Sequence, residues 1–177
     1  MTLFFSDIRS FTSYSELNTP QEVVNSLNRV LNFQTQVIQK NGGDVDKYVG
    51  DEIVAIFSGR NKEEHACLSA LEIQNEIMHN RERYSDLTVG IGINTGEVIL
   101  GMIGSERRAD FTVIGDPVNI ASRLCDSAKP GMILISEGVC DQIGDRARFR
   151  GPYHLKVKGK AGDLHVYQLL ALKRRSG

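Results

Sequence analysis

Two aspartates and one arginine-bearing stretch have the residue types and spacing to do chemistry. Asp51 follows Gly50 between two β-rich runs, Gly43-Asp44-Val45-Asp46-Lys47-Tyr48-Val49 and Glu52-Ile53-Val54-Ala55-Ile56-Phe57. A Gly-Asp pair between such runs signals a hairpin with a tight turn. Its carboxylate would sit at the turn tip, pinned by Val45 and Val49 on one arm and by the nearly continuous apolar run Ile53, Val54, Ile56 and Phe57 on the other. Asp7 ends an apolar strand that begins at Thr2. If that strand lies beside the hairpin, the two carboxylates converge at one sheet edge, and the Ile8 carbonyl can add a further oxygen. Such hard donors suit two divalent cations, Mg²⁺ or Mn²⁺, rather than zinc. A pair of these ions would activate an attacking oxygen and neutralise phosphate charge in an in-line displacement.

A second cluster follows Gly115-Asp116-Pro117. Asp116 reads as a helix cap and Pro117 as the first helical residue, and Asn119 and Arg123, four apart, then share one face. A guanidinium beside an amide suits the oxygens of a phosphorus centre gaining charge. Lys158 and Lys160 in a glycine turn could clamp a polyphosphate tail. Each feature also has a plainer account: Gly-Asp suits any turn, Asp7 could cap the next turn, the Asn-Arg face could be a solvated stripe, and lysine-rich turns are usually only solvated. No glycine-rich loop followed by Lys-Ser or Lys-Thr exists, which excludes a P-loop. His65, His79, His154 and His165 lack metal-ligand spacing and are assigned structural roles.

The elements that must position these groups read in a mixed order. Thr2 to Asp7 is a strand, and residues 6–12 leave it through polar side chains. Thr19 and Glu22 form a capping box for a helix to Lys40, and Gly42-Gly43 stop it before the hairpin. A second helix is predicted from Lys62 to Arg83, and a strand from Leu87 to Asn94 whose glycines mark a closely approached face. Glu97 to Leu100 reads as its hairpin partner, Phe111 to Ile114 as a short strand, and the Asn-Arg helix runs to about Ala128. Met132 to Ser136 is a strand, Glu137 to Ile143 a short helix, and Phe149–Val157 with His165–Leu170 a closing strand pair. This order predicts an α+β sandwich, ferredoxin-like or palm-like, with one mostly antiparallel sheet carrying helices on one face.

Composition narrows the class. A chain of 177 residues with 41% hydrophobic and 24% charged residues suits one globular domain, here taken as 1–177. A net charge of -1 offers no global attraction to nucleic acid or anionic lipid, so a small partner is expected. Three cysteines, Cys67, Cys125 and Cys140, are odd in number and predict free thiols and a cytoplasmic setting. Met1-Thr2-Leu3-Phe4-Phe5 already reads as a strand in progress, so the expectation is a domain excised from a longer protein with room for a sensor or membrane-attached part upstream.

Five motifs taken in order, Phe5-Ser6-Asp7-Ile8-Arg9-Ser10-Phe11-Thr12, Lys47-Tyr48-Val49-Gly50-Asp51-Glu52, Gly92-Ile93-Asn94-Thr95-Gly96, Thr112 to Leu124, and Val157-Lys158-Gly159-Lys160, resemble the catalytic domain of class III nucleotidyl cyclases over essentially the whole chain. The resemblance implies that Asp7 and Asp51 are the two metal carboxylates, that Lys47 and Thr112 select the base, that Asn119 orients the ribose, that Arg123 is the transition-state arginine, and that Lys158 contacts the triphosphate. A lysine at position 47 is the adenine-type residue, since an ammonium can donate to adenine N1, whereas guanylate cyclases carry a glutamate there. Thr112 stands where many adenylate cyclases have Asp and a bicarbonate-responsive subgroup has Thr. The implied protein is an adenylate cyclase turning ATP into 3′,5′-cyclic AMP and pyrophosphate in a head-to-tail homodimer with two shared sites. In that arrangement Asp7, Lys47 and Asp51 come from one protomer and Thr112, Asn119 and Arg123 from the other. A guanylate cyclase and a catalytically silent nucleotide-binding module are the rival classes. A diguanylate cyclase is disfavoured, because its Gly-Gly-Asp-Glu turn is here Val-Gly-Asp-Glu.

Overall fold

The buried strand that begins at Thr2 becomes the axis of the sheet. The computed structural model describes residues 1–105, 108–156 and 163–173. In it β1 (Thr2–Arg9) is buried continuously from Thr2 to Ser6 and has a neighbour on each edge. Along the chain follow α1 (Phe11–Leu17), α2 (Pro20–Lys40), β2 (Gly43–Val49), β3 (Glu52–Phe57), α3 (Lys62–His79), β4 (Thr88–Thr95), β5 (Ile99–Ser105), β6 (Arg108–Ile114), α4 (Asp116–Ser127), β7 (Ile133–Ser136), α5 (Glu137–Ile143), β8 (Ala147–Lys156) and β9 (Asp163–Leu172). Seven strands form one sheet in the order β2-β3-β1-β4-β7-β9-β8, and every neighbouring pair is antiparallel except β4 with β7.

Alternation along β1 divides the interior in two. Phe4 and Ile8 join Val30 of α2, Ile73 of α3 and Val139 of α5 in the main core. Leu3 and Phe5 face the other way and pack with Val54, Val113 and, from α4, Ala121 and Cys125. The α+β architecture is as expected, and helices on one face describes α2, α3 and α5. α4 departs from that description and lies across the opposite face. Its close seat depends on the glycines of β4. A Cβ on Gly92 would stand 2.5 Å from the Ala121 carbonyl and 2.8 Å from Cys125 Cα.

Four local departures have physical causes. α1 was not expected, because it buries no residue and its N-cap Ser10 makes no side-chain cap bond, so no apolar period or capping signal marks it. α3 stops at His79, and a 3₁₀ turn over Arg81–Tyr84 replaces its last turn. Residues 97–100 do not pair with β4, since β1 and β7 already occupy both of its edges; β5 pairs with β6 as a separate two-stranded sheet. Gly115, with φ 149, is the N-cap of α4, and Asp116 is its first helical residue.

Because α4 backbone meets β4 backbone at Gly92, Gly92→Ala should destabilise the protein by roughly 1–3 kcal/mol, the usual cost of overpacking a rigid contact. Gly101→Ala, where nothing lies within 4 Å of the new carbon, should stay close to wild type. Urea unfolding of the two variants checks this, and equal midpoints would contradict it.

Candidate active site

The β1–β3 register brings the two predicted acids together. It ends at the pair Asp7↔Glu52, beyond which β3 gives way to the Gly50-Asp51 turn, so Asp51 and Ile8 come level with one another. Gly50, at φ 63, occupies the first central position of this two-residue loop, where a type II′ turn requires glycine. Burial pushes Asp7 up to about 6, the adjoining Asp51 carboxyl adds to the rise through charge and a shared hydrogen bond, and Arg9 opposes it. Glu52 rises to about 7 through burial and then the nearby Asp7, Asp126 and Asp51. Arg9 donates from Nη1 to Asp7 Oδ2 at 2.9 Å and from Nη2 to the Cys125 carbonyl, while its Nε is buried without a partner. Gly90 makes room for this guanidinium.

Acids gathered until they hold their protons are suited to a hard cation, which relieves their repulsion. Among the described residues no three His, Cys, Asp or Glu side chains form a complete metal cage. Two adjoining carboxylates suit a hard cation that takes the rest of its shell from waters or ligand oxygens.

A second cluster lies on the α4 side of β2 and β3. The β2–β3 register shifts between Val45 and Lys47, leaving Asp46 as a bulge residue. A regular strand would send Asp46 and Lys47 to opposite faces; the bulge brings both to Thr112 of β6. Lys47 Nζ donates to Thr112 Oγ1 at 2.5 Å, Thr112 Oγ1 donates to Asp46 Oδ2 at 2.9 Å, and Lys47 Nζ lies 3.2 Å from Asp46 Oδ2. These three residues line a cavity of about 200 Å³ with Phe5, Val54 and Val118. The bulge also corrects the expected packing behind the turn: Val45 reaches the main core, whereas Val49 is 55% exposed and lines this cavity.

Lys47 and Thr112 were expected from opposite protomers, and the geometry corrects that division. They are bonded within one chain, because Val113 of β6 packs against Leu3, Phe5 and Val54 and so carries Thr112 over β2. Asn119 is exposed and Arg123 half-buried on α4, whose inward side is Ile120, Ala121, Leu124 and Cys125. Neither lines the cavity beside Lys47. Lys158 lies outside the described residues. Asp46, Glu52, Asp126 and Arg9 were not anticipated; only the charge of Asp46 beside Lys47 hinted at its place. A cavity of about 640 Å³ lies between α1, the end of α3 and residues 85–88, and includes neither the Asp7–Asp51 pair nor Lys47 and Thr112.

Among the described residues no helix is long and apolar enough to cross a membrane. The sequence profile of the adenylate and guanylate cyclase catalytic domain matches residues 1–171. An adenylate cyclase of Anabaena cylindrica is 36% identical over 97% of the chain, and the terminal-differentiation-specific adenylate cyclase of Dictyostelium discoideum is 36% identical over 96%. The chain spans only 37% and 8% of those two proteins. Among solved structures, the adenylyl cyclase CyaB from P. aeruginosa superposes with a TM-score of 0.92 at 33% identity, covering 99% of this chain and 96% of that one. The guanylyl cyclase Cya2 gives 0.91 at 33% identity, with 99% and 93% covered. With the acid pair at one strand end, the Lys47–Thr112 cavity beside it and these likenesses along nearly its whole length, the chain belongs to the class III adenylate and guanylate cyclase catalytic domains.

Proposed function

We propose that this domain is an adenylate cyclase, converting ATP to 3′,5′-cyclic AMP and pyrophosphate at a site shared by two copies of the chain. The Lys47–Thr112 pair on the wall of the small cavity carries this reading. The ammonium can donate to adenine N1, and the hydroxyl oxygen can accept from the 6-amino group. The names of the curated relatives support adenine, while the guanylyl cyclase Cya2, at the same 33% identity as the adenylyl cyclase CyaB, keeps GTP as the second reading.

A cavity of about 200 Å³ is small for a nucleotide; binding pockets usually start at roughly 300 Å³. It suits one wall of a cleft that a second copy completes. The β5–β6 hairpin exposes Ile99 at 74% and Met102 at 65%, with Leu100, Ile103 and Ile114 also uncovered, an apolar ridge of the kind that seeks a partner. With Lys47 and Thr112 on one chain, the division becomes Asp7 and Asp51 from one copy, and Lys47, Thr112, Asn119 and Arg123 from the other.

Asp7, Asp51 and the Ile8 carbonyl would hold two divalent cations, Mg²⁺ or Mn²⁺, whose chemistry is to acidify a bound hydroxyl and neutralise phosphate charge. Lys47 and Thr112 fix the base, Asn119 orients the ribose, and Lys158 contacts the triphosphate. The ribose 3′-oxygen then bonds to the α-phosphorus, the bond to pyrophosphate breaks, and the hydroxyl proton leaves to solvent without a side-chain base. Arg123 stabilises the charge on the five-coordinate phosphorus. Control by a sensor domain upstream belongs to the same proposal.

Product analysis with ATP and then GTP in the presence of Mn²⁺ tests the assignment: cyclic AMP as the main product is expected, and cyclic GMP as the main product would select the second reading. Arg123→Ala should lower kcat by about 10²-fold or more with little change in KM, as for the loss of a group that acts in the transition state. Mixing inactive Asp51→Ala and Arg123→Ala chains should restore activity through one intact site per heterodimer, and a mixture that stays dead would exclude the shared site.

The ion site has a signature in stability. Without metal the folded chain keeps the Asp7 proton to about 6, against an ordinary 3.8 for an aspartate. The native state binds more protons between these values, so the contribution of Asp7 to stability is fully present below about pH 4 and is lost as pH rises to about 6. Screening at this partly exposed group reduces the loss to the order of 1–2 kcal/mol. Urea unfolding in EDTA should show the decline, Mn²⁺ should recover it at pH 7 but not at pH 4.5, and Asp7→Asn should abolish the recovery and shrink the decline to the part that Glu52, pushed up to about 7 mainly by burial, still contributes.

A further inference from the structure

Asp46 has no role in the reading above, yet its side chain is nearly enclosed within the cluster that faces the base. Its side chain is 6% exposed, against 41% for Lys47. It reaches Thr112 only because the strand bulges at that point. We infer that Asp46 is a specificity-determining positioning residue, which fixes the Thr112 hydroxyl as a hydrogen-bond acceptor and thereby selects a 6-amino purine over a 6-oxo purine. The inference rests on the adenylate cyclase reading of this site, with Lys47 at N1 and Thr112 at the 6-substituent.

The argument is a count of protons and lone pairs. A carboxylate only accepts, an ammonium only donates, and a threonine hydroxyl has one proton and two lone pairs. The Thr112 proton is committed to Asp46 Oδ2 at 2.9 Å, and one of its lone pairs receives Lys47 Nζ at 2.5 Å. What remains for a ligand is a single lone pair. Lys47 has one proton directed to Thr112 and one toward Asp46, which leaves a third to donate. The cluster therefore presents one donor and one acceptor, with no freedom for Thr112 to reverse its role. Adenine meets it with N1 as acceptor and its 6-amino group as donor. The O6 of guanine would instead set a lone pair against a lone pair, in a residue only 8% exposed where water cannot relieve the mismatch. Without Asp46 the hydroxyl can rotate and donate to O6, so the same Lys-Thr pair would lose much of its discrimination.

The test measures kcat/KM for ATP and GTP with Mn²⁺, together with displacement of a fluorescent ribose-labelled ATP by each nucleotide, in wild type, Asp46→Ala, Thr112→Val and the double variant. Wild type should prefer ATP. Asp46→Ala, which removes the acceptor of the Thr112 proton, should lower the ATP-to-GTP ratio about tenfold or more, the scale of one buried hydrogen bond made or lost. Thr112→Val should lower it comparably, and Asp46→Ala should add nothing in the Thr112→Val background. Asp46→Val, which also lacks an acceptor and fills more of the space, takes the place of Asp46→Ala if the latter lowers the melting temperature. An unchanged ratio overturns the inference and leaves the adenylate cyclase reading standing. So does an equal loss for both nucleotides, which would mark Asp46 as merely structural, or a ratio change that persists without the Thr112 hydroxyl. A wild-type chain that prefers GTP, or that neither binds nor cyclises either nucleotide, overturns the functional reading and this inference with it.

Discussion

The close seat of α4 on β4 is the constraint on which the site depends. Gly92 brings the backbone of α4 against the strand, and Gly90 leaves the space in which the Arg9 guanidinium lies between the Asp7 carboxylate and the Cys125 carbonyl. The outward strip with Asn119 and Arg123 is thus held at a set height above the sheet. A larger residue at either glycine would move the helix, the cation or both. Glycine in a strand interior weakens the strand itself, so these positions exchange local stability for a backbone contact no other residue permits.

The acids show a related exchange. Folding gathers Asp7, Asp51, Glu52 and Asp126 around one arginine, and Asp7 and Glu52 are left holding protons well above their ordinary range. In the bare chain that arrangement opposes folding. It is useful only to a ligand that brings positive charge, which is why the same feature that weakens the domain supports the reading of a cation-dependent enzyme.

Much of this was legible in the residues. The Gly50-Asp51 turn, the Thr19–Glu22 capping box, the glycine face of β4 and the Asn119–Arg123 spacing each rest on local stereochemistry, and each stands in the structure. The rest depended on contacts between residues far apart in the chain. A bulge at Asp46 leaves no mark on the alternation around it, so the turning of Lys47 and Val49 to the α4 side could not be read from β2 alone. The placement of Thr112 on the same chain as Lys47 follows from β6 packing over β2 and β3 through Val113, a tertiary choice that motif order does not encode. α1 was missed for the opposite reason, since no residue of it is fully buried and only Phe11 and Tyr14 lean on the core, too few to make a pattern.

The β5–β6 hairpin shares no strand pairing with the large sheet. Two strands alone are marginal in water, so the hairpin draws its order from Val113, from the bonds of Thr112, and from whatever covers Ile99 and Met102. If a second copy supplies that cover, the energetics of self-association and of purine selection are thermodynamically linked, and the linkage is reciprocal. A well-matched nucleotide would then tighten the assembly, and dilution would weaken the binding of nucleotide in return.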